Sequence, residues 1–181
     1  MNLQETKLKD VFLIEPTIFS DKRGYFFESF NKERFNKLTG LNLNFVQDNE
    51  SFSTKGVLRG LHFQQGEFSQ AKLVRVLQGT VLDVTVDIRE NSPTYGDYIS
   101  VILSDENKKQ LFMPRGFAHG FVVLSDTAIF SYKCDNYYNK SAERGILYND
   151  TTLNIDWQQP QDQLIISEKD LALPTFDKII I

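Results

Sequence analysis

The clearest alternation of apolar and polar positions in the chain runs from Val81 to Ile88. Leu82, Val84, Val86 and Ile88 face one way, and Asp83, Thr85 and Asp87 face the other, which predicts a β-strand. Neighbouring segments read in the same way. Val57 to Gln64, Lys72 to Leu77, Tyr98 to Leu103, Lys109 to Met113, Phe121 to Leu124 and Ala128 to Lys133 are strand candidates. Turn chemistry separates them: Gln78-Gly79-Thr80, Ser92-Pro93-Thr94-Tyr95-Gly96 and Ser104-Asp105-Glu106-Asn107. Asp21 to Glu28 reads as a turn into a strand. One short helix is predicted over Asn31 to Leu38, with Asn31 capping its start and Gly40 stopping it. Beyond Leu153 the pattern is mixed, with short extended pieces and one helical turn near Ser167. Many strands at short, regular spacing, with few helices, predict an all-β sandwich or barrel rather than a parallel α/β sheet.

Composition narrows the class. The chain has 181 residues, 41% of them apolar and 24% charged, with no repeat and no linker-like stretch. One domain over residues 1–181 is expected, large enough to bury a core without staples. Fifteen Phe against a single Trp lean toward strands. A net charge of −4 argues against nucleic acid as a partner, while a local basic pocket for a phosphate group stays compatible. The single cysteine, Cys134, excludes an internal disulfide and a cysteine-rich zinc site. No apolar run approaches the ~18 residues of a membrane span. The polar start does not read as a signal peptide, so the cytoplasm is the default compartment. Any metal site would need both histidines plus carboxylates.

Those two histidines head the candidate chemistry. His62 lies mid-strand in Arg59-Gly60-Leu61-His62-Phe63-Gln64, where it is either a satisfied core histidine or a general base. His119 follows the turn made by Pro114 and Gly116 and is expected at the mouth of the sheet. There it either bonds a nearby carbonyl or points into a cavity. Lys72 shares a face with Val74 and Val76, so it is either a solvated strand end or an inner-wall cation able to hold an oxyanion. Tyr132 shares a face with Phe130 and Cys134, as core packing or as a general acid. Asp170 ends Ser167-Glu168-Lys169-Asp170, a pattern close to a capping box, so a structural role competes with a chemical one. Arg23 and Arg59 are surface salt-bridge residues or diphosphate ligands, since guanidinium matches phosphate geometry.

Taken in order, several segments resemble one family, the dTDP-4-dehydrorhamnose 3,5-epimerases of the cupin superfamily. They are Asp21-Lys22-Arg23-Gly24-Tyr25-Phe26-Phe27-Glu28, Phe45-Val46-Gln47-Asp48-Asn49, Gly56 to Gln64, Gln70 to Val76, Val86-Asp87-Ile88-Arg89 with Ser92-Pro93-Thr94, and Pro114 to Phe121. The resemblance implies a cupin-type jelly roll with a few short peripheral helices, and a homodimer. It implies cofactor-free, metal-free epimerisation of a dTDP-sugar, dTDP-4-dehydro-6-deoxy-D-glucose, at C3 and C5. By the same resemblance His62 is the base, Asp170 orients it, Tyr132 is the acid on the opposite face, and Lys72 is the cation at the C4 oxygen. His119 lines the site and Arg59 holds the diphosphate. Arg23, Glu28, Gln47, Asn49, Tyr138 and Glu143 match nucleotide and sugar contacts, some of them from the partner subunit, and Phe19 matches an aromatic beside the thymine.

Three other readings compete. A metal cupin typically uses two histidines spaced by one residue, but Gln64 stands where the second would be and Lys72 replaces a carboxylate ligand. A mono-epimerase or a 3,4-ketoisomerase would act on a related nucleotide sugar. A non-catalytic sugar-binding cupin would have no need of a base, its orienting carboxylate and an opposed acid together. One conflict is internal to the resemblance. Strict alternation puts Arg59 and His62 on opposite faces, whereas the family puts both at the site, so a β-bulge at Gly60 is predicted.

Overall fold

The computed structural model describes residues 1–179, so the last two residues of the expected 1–181 domain lie outside it. In chain order the elements are β1 (Asn2–Glu5), β2 (Phe12–Glu15), β3 (Phe19–Asp21), β4 (Gly24–Phe26), α1 (Lys32–Thr39), β5 (Gln47–Thr54), β6 (Val57–Gln64), β7 (Lys72–Gln78) and β8 (Thr80–Asp87). There follow β9 (Tyr98–Ser104), β10 (Gln110–Met113), β11 (Phe117–Val123), β12 (Thr127–Cys134), β13 (Glu143–Gly145), β14 (Ile165–Ile166) and α2 (Glu168–Leu171). One six-stranded sheet runs β1-β2-β10-β7-β12-β5. The sheet facing it runs β13-β6-β11-β8-β9, with β14 added to β6 in parallel. The architecture is the expected jelly roll, with β3 and β4 forming a separate hairpin.

Three apolar layers hold it. Between the sheets lie Val74, Val76, Val81, Leu111, Met113, Phe117, Phe121, Val123 and Phe130. The outer face of the second sheet carries Leu82, Val84, Val86 and Ile88 against Ile146, Tyr148, Leu153, Trp157 and Phe176 of the C-terminal tail. Asp150 pins that tail by accepting from the backbone N–H groups of Leu153 (2.9 Å) and Phe176 (2.8 Å). The second sheet is therefore covered on both sides. Of the two faces of the Val81 to Ile88 alternation, the apolar one packs under the tail and the polar one points between the sheets. On the far side of the first sheet, Phe35 of α1 packs with Ile14, Leu73 and Phe112.

The predicted helix is present, shifted by one residue. Asn31 Oδ1 accepts from Arg34 N–H (3.0 Å), and Gly40 closes the other end at φ 71° with its N–H on the Asn36 carbonyl. Strand β11 starts at Phe117 rather than Phe121, because the Gly116 turn (φ 87°) delivers the chain straight into the ladder with β8. Strands β1 and β2 carry no clear alternation. They are four residues each; β1 is largely exposed at the sheet edge, whereas β2 buries Leu13 toward one layer and Ile14 toward another.

The β-bulge at Gly60 is present. His62 stands opposite His119 and Arg59 opposite Phe121, so three steps on β6 span two on β11. Gly60 has φ 119°, and a Cβ there would lie 2.6 Å from Gly120 Cα, which leaves room for glycine alone. The bulge brings Arg59 and His62 to the same cavity.

Candidate active site

A cavity of about 700 Å³ opens between the two sheets. Strand β6 contributes His62 to one wall, and β7 and β12 contribute Lys72 and Tyr132 to the opposite one. His62 Nε2 lies 2.7 Å from Asp170 Oδ1. Asp170 is 4% exposed, and its other oxygen accepts from the Gly60 N–H at 3.4 Å. Burial alone would raise the Asp170 pKa. The His62 hydrogen bond and the neighbouring donors outweigh it and hold the carboxyl below its ordinary value. An ionised carboxylate accepts the Nε2 proton, which leaves Nδ1 as the unprotonated nitrogen of a neutral His62. The capping reading of Asp170 is half right. Ser167 Oγ caps α2 by accepting from Asp170 N–H (3.1 Å), while the Asp170 carboxylate reaches across to β6.

Lys72 Nζ sits 5.9 Å from the centre of the Tyr132 ring. Burial pushes the Lys72 ammonium below the usual lysine value, with Cys134, Asp83 and Glu143 opposing the shift. Burial likewise raises Tyr132, which keeps its phenol protonated at neutral pH. Cys134 lies fully buried across from Lys72 in the β7–β12 ladder, and burial lifts its thiol to about 11. A thiol held so high is inert as a nucleophile.

His119 takes the second of its two expected settings, a place on the cavity wall, although it reaches it from within β11 rather than from the turn before it. It lies in the third position of β11, 7% exposed, with Nε2 at 2.8 Å from Asp83 Oδ2. Its ring stacks on Phe130 at 5.9 Å and still reaches the cavity wall. Asp83 is completely buried, and its second oxygen has no hydrogen-bond partner among the described residues. Sequence reading missed Asp83, although it sits on the polar face of β8; what hid it was the tail that covers the other face.

At the mouth of the cavity, Arg59 donates to Ser53 Oγ (3.0 Å) and to the Phe52 carbonyl (3.4 Å), rather than to a carboxylate. Gln47 and Asn49 project inward from β5, joined by a 3.0 Å hydrogen bond. Tyr138 Oη donates to Glu143 Oε2 (2.9 Å), and Lys169 Nζ donates to the same oxygen (2.7 Å). Burial opposes ionisation of Glu143, yet the bonds from Lys169 and Tyr138 hold it below its ordinary value. Lys169 also lines the cavity; nothing in the sequence singles it out, since it reads as an ordinary helical lysine. Phe19, Arg23 and Glu28 stand apart from this cavity. Phe19 and Arg23 border a shallow surface depression on the β3–β4 hairpin, with Arg23 paired to Asp21. Glu28 contacts Asn31 and Arg34 at the start of α1.

Among the described residues, no group of three or more His, Cys, Asp or Glu side chains is arranged to hold a metal ion. No helix among them is long and apolar enough to cross a membrane.

Two facing, largely antiparallel sheets with a cavity lined by His62, Asp170, Lys72 and Tyr132 between them define a cupin-type jelly-roll enzyme. Comparison with known proteins narrows this class. A family model described as dTDP-4-dehydrorhamnose 3,5-epimerase matches residues 5–178. The Escherichia coli K12 dTDP-4-dehydrorhamnose 3,5-epimerase is 52% identical over 180 residues, covering 99% of this chain and 97% of its own. The crystal structure of the Elizabethkingia anophelis NUHP1 enzyme of the same name superposes with TM-score 0.95 at 59% identity, over 98% of both chains. The dTDP-6-deoxy-D-glucose-3,5-epimerase of Legionella pneumophila Philadelphia 1, solved in complex with dTDP-4-keto-L-rhamnose, also gives TM-score 0.95, at 50% identity over 99% of this chain and 94% of its own. This chain belongs to the dTDP-4-dehydrorhamnose 3,5-epimerase family.

Proposed function

We propose that the protein, as one catalytic domain, converts dTDP-4-dehydro-6-deoxy-D-glucose to dTDP-4-dehydro-L-rhamnose by inverting C3 and C5. The observation that carries the reading is the placement of the His62–Asp170 pair on one wall of the cavity and of Lys72 and Tyr132 on the other. Both carbons flank the C4 ketone, so loss of a proton from either gives an enolate whose charge sits on the C4 oxygen. His62 removes the proton, and the Asp170 carboxylate stabilises the imidazolium that forms. Lys72 stabilises the enolate oxygen in a cavity that water screens poorly. Tyr132 returns a proton from the opposite face, which inverts the centre. In a glucose-configured chair the C3 and C5 hydrogens point to the same side, so one base on one wall serves both centres, once His62 has released its proton to water and Tyr132 has regained one between the two inversions. The reaction is redox-neutral and needs no cofactor in this reading.

The nucleotide end lies at the mouth, with Arg59 on the diphosphate and Gln47, Asn49, Tyr138 and Glu143 around nucleoside and sugar. His119, held by Asp83, completes the wall beside the sugar. The protein acts as a homodimer. The β3–β4 hairpin carries Phe19, Tyr25 and Phe26, each more than half exposed, and a second copy covering them would receive Phe19, Arg23 and Glu28 at its own cavity. The cytoplasm, where nucleotide sugars are made, is the compartment this chemistry implies. Proton NMR of the substrate with the protein in heavy water tests the activity. Deuterium at both C3 and C5 is expected, whereas exchange at a single centre would make the protein a mono-epimerase and no exchange would overturn the substrate.

A further inference from the structure

Gln64 ends the strand that carries His62 and is 7% exposed. Its amide is fully engaged, and none of its partners lies in a strand. Nε2 donates to the Phe68 carbonyl (2.9 Å) and the Tyr137 carbonyl (3.2 Å), and Oε1 accepts from Asn139 N–H (2.6 Å). An amide NH2 has two donors, so Gln64 has none left for a ligand. Two of its three bonds grip the backbone immediately before and after Tyr138. Residues 135–139 belong to no helix or strand. Other side-chain amides complete the hold. Gln47 Oε1 accepts from Tyr138 N–H (3.0 Å), Gln70 donates to the Asn136 carbonyl (2.8 Å), and Asn136 donates to the Glu67 carbonyl (2.8 Å). What this scaffold presents is the half-exposed ring of Tyr138 at the cavity mouth.

We infer that Gln64 is a positioning residue for the nucleotide end of the site, fixing the backbone on both sides of Tyr138 and through it the pose of the ring against the nucleoside. The inference rests on the reading that Tyr138 meets the nucleotide. A core glutamine that served stability alone would satisfy core groups, whereas this one bonds only turn and loop backbone, two of its bonds bracketing an exposed aromatic. With its grip removed, the segment samples other poses and each binding event must order it again.

The test is a double-mutant cycle read by calorimetric titration of dTDP into the wild type, Gln64→Leu, Tyr138→Ala and the double variant. Gln64→Leu is expected to raise the dTDP Kd about tenfold in the wild-type background and less than about twofold in the Tyr138→Ala background. KM for the dTDP-sugar rises with Kd, while kcat changes by far less. Gln64→Glu keeps the volume and the acceptor for Asn139 but turns a carboxylate oxygen toward two carbonyls, so it gives the same non-additive loss by a second route. Wild-type affinity in both Gln64 variants would overturn the inference, as would an equal loss in the two backgrounds. Failure of the wild type to bind dTDP at all would instead overturn the nucleotide reading beneath it.

Discussion

Replacing Asp170 by Asn changes one buried atom and tests the acid–base reading at its most sensitive point. Asp170 Oδ1 sits 2.7 Å from His62 Nε2, and its other oxygen takes the Gly60 N–H. An asparagine cannot serve both partners. With its oxygen toward His62, its NH2 meets the Gly60 donor. Turned over, the NH2 faces Nε2 and drives the ring proton to Nδ1, where the base should be free. The energetic loss falls on the transition state, because only there does His62 carry charge. A carboxylate and an imidazolium with charge centres about 4 Å apart attract by about 4 kcal/mol at the effective dielectric of a protein site. Loss of that attraction slows the step by about a thousandfold. A neutral ground-state histidine gains much less from the charge, so kcat falls and KM stays close to wild type. Steady-state turnover, together with exchange of the C3 and C5 protons into heavy water, measures the loss. An Asp170→Asn variant that is folded by circular dichroism and within tenfold of wild-type kcat would overturn this role for the carboxylate.

Three other perturbations have definite outcomes. Lys72→Met removes the cation from the C4 oxygen and lowers kcat by about 10²–10³ in the same turnover assay, with dTDP affinity in calorimetry little changed. Gly60→Ala forces a Cβ to 2.6 Å from Gly120 Cα and 2.7 Å from the His119 carbonyl, so it lowers the thermal midpoint and also costs activity by displacing Arg59 and His62. Asp87, fully buried, would be raised by burial alone, but its hydrogen bonds from Arg89, Ser92 and Thr94 bring it down to about 2 from an ordinary 3.8. A depressed carboxyl stabilises the native state above its unfolded pKa, and that contribution fades as pH falls from about 4 through about 2. Urea titrations should therefore show Asp87→Asn to be about 2 kcal/mol less stable than wild type at pH 7, with the difference closing toward pH 2.

The strand framework was legible because alternation and turn chemistry are local. Lys72, Val74 and Val76 share an inner face as read, and so do Phe130 and Tyr132, with Cys134 reached by the cavity-lining Asn49. The bulge at Gly60 was legible for a different reason. Two requirements on Arg59 and His62 conflicted, and a glycine stood between them. What stayed hidden depends on segments far apart in the chain. Asp83 is one of three polar residues on one face of its strand, and its burial follows only from the tail from Ile146 to Phe176, which covers the apolar face and leaves the polar face between the sheets. The place of His119 on the cavity wall was among the settings expected from the turn before it, but its pairing with Asp83 follows from that same burial. Gln64 was visible as part of a motif, but its role depends on where residues 137–139 return. Strand β5 is almost wholly polar because its inner side faces a cavity and its outer side faces water. A hydrophobicity pattern does not mark such a segment as an element.

In the mechanism proposed for this cavity, proton abstraction and proton return come from opposite walls. Tyr132→Phe and His62→Ala in heavy water separate the two steps. Tyr132→Phe should still exchange deuterium into the substrate at the carbons flanking the ketone, because His62 can take and return a proton on one face, but it should give little inverted product. His62→Ala should do neither. Full epimerisation by Tyr132→Phe, or undiminished exchange by His62→Ala, would contradict this arrangement of base and acid.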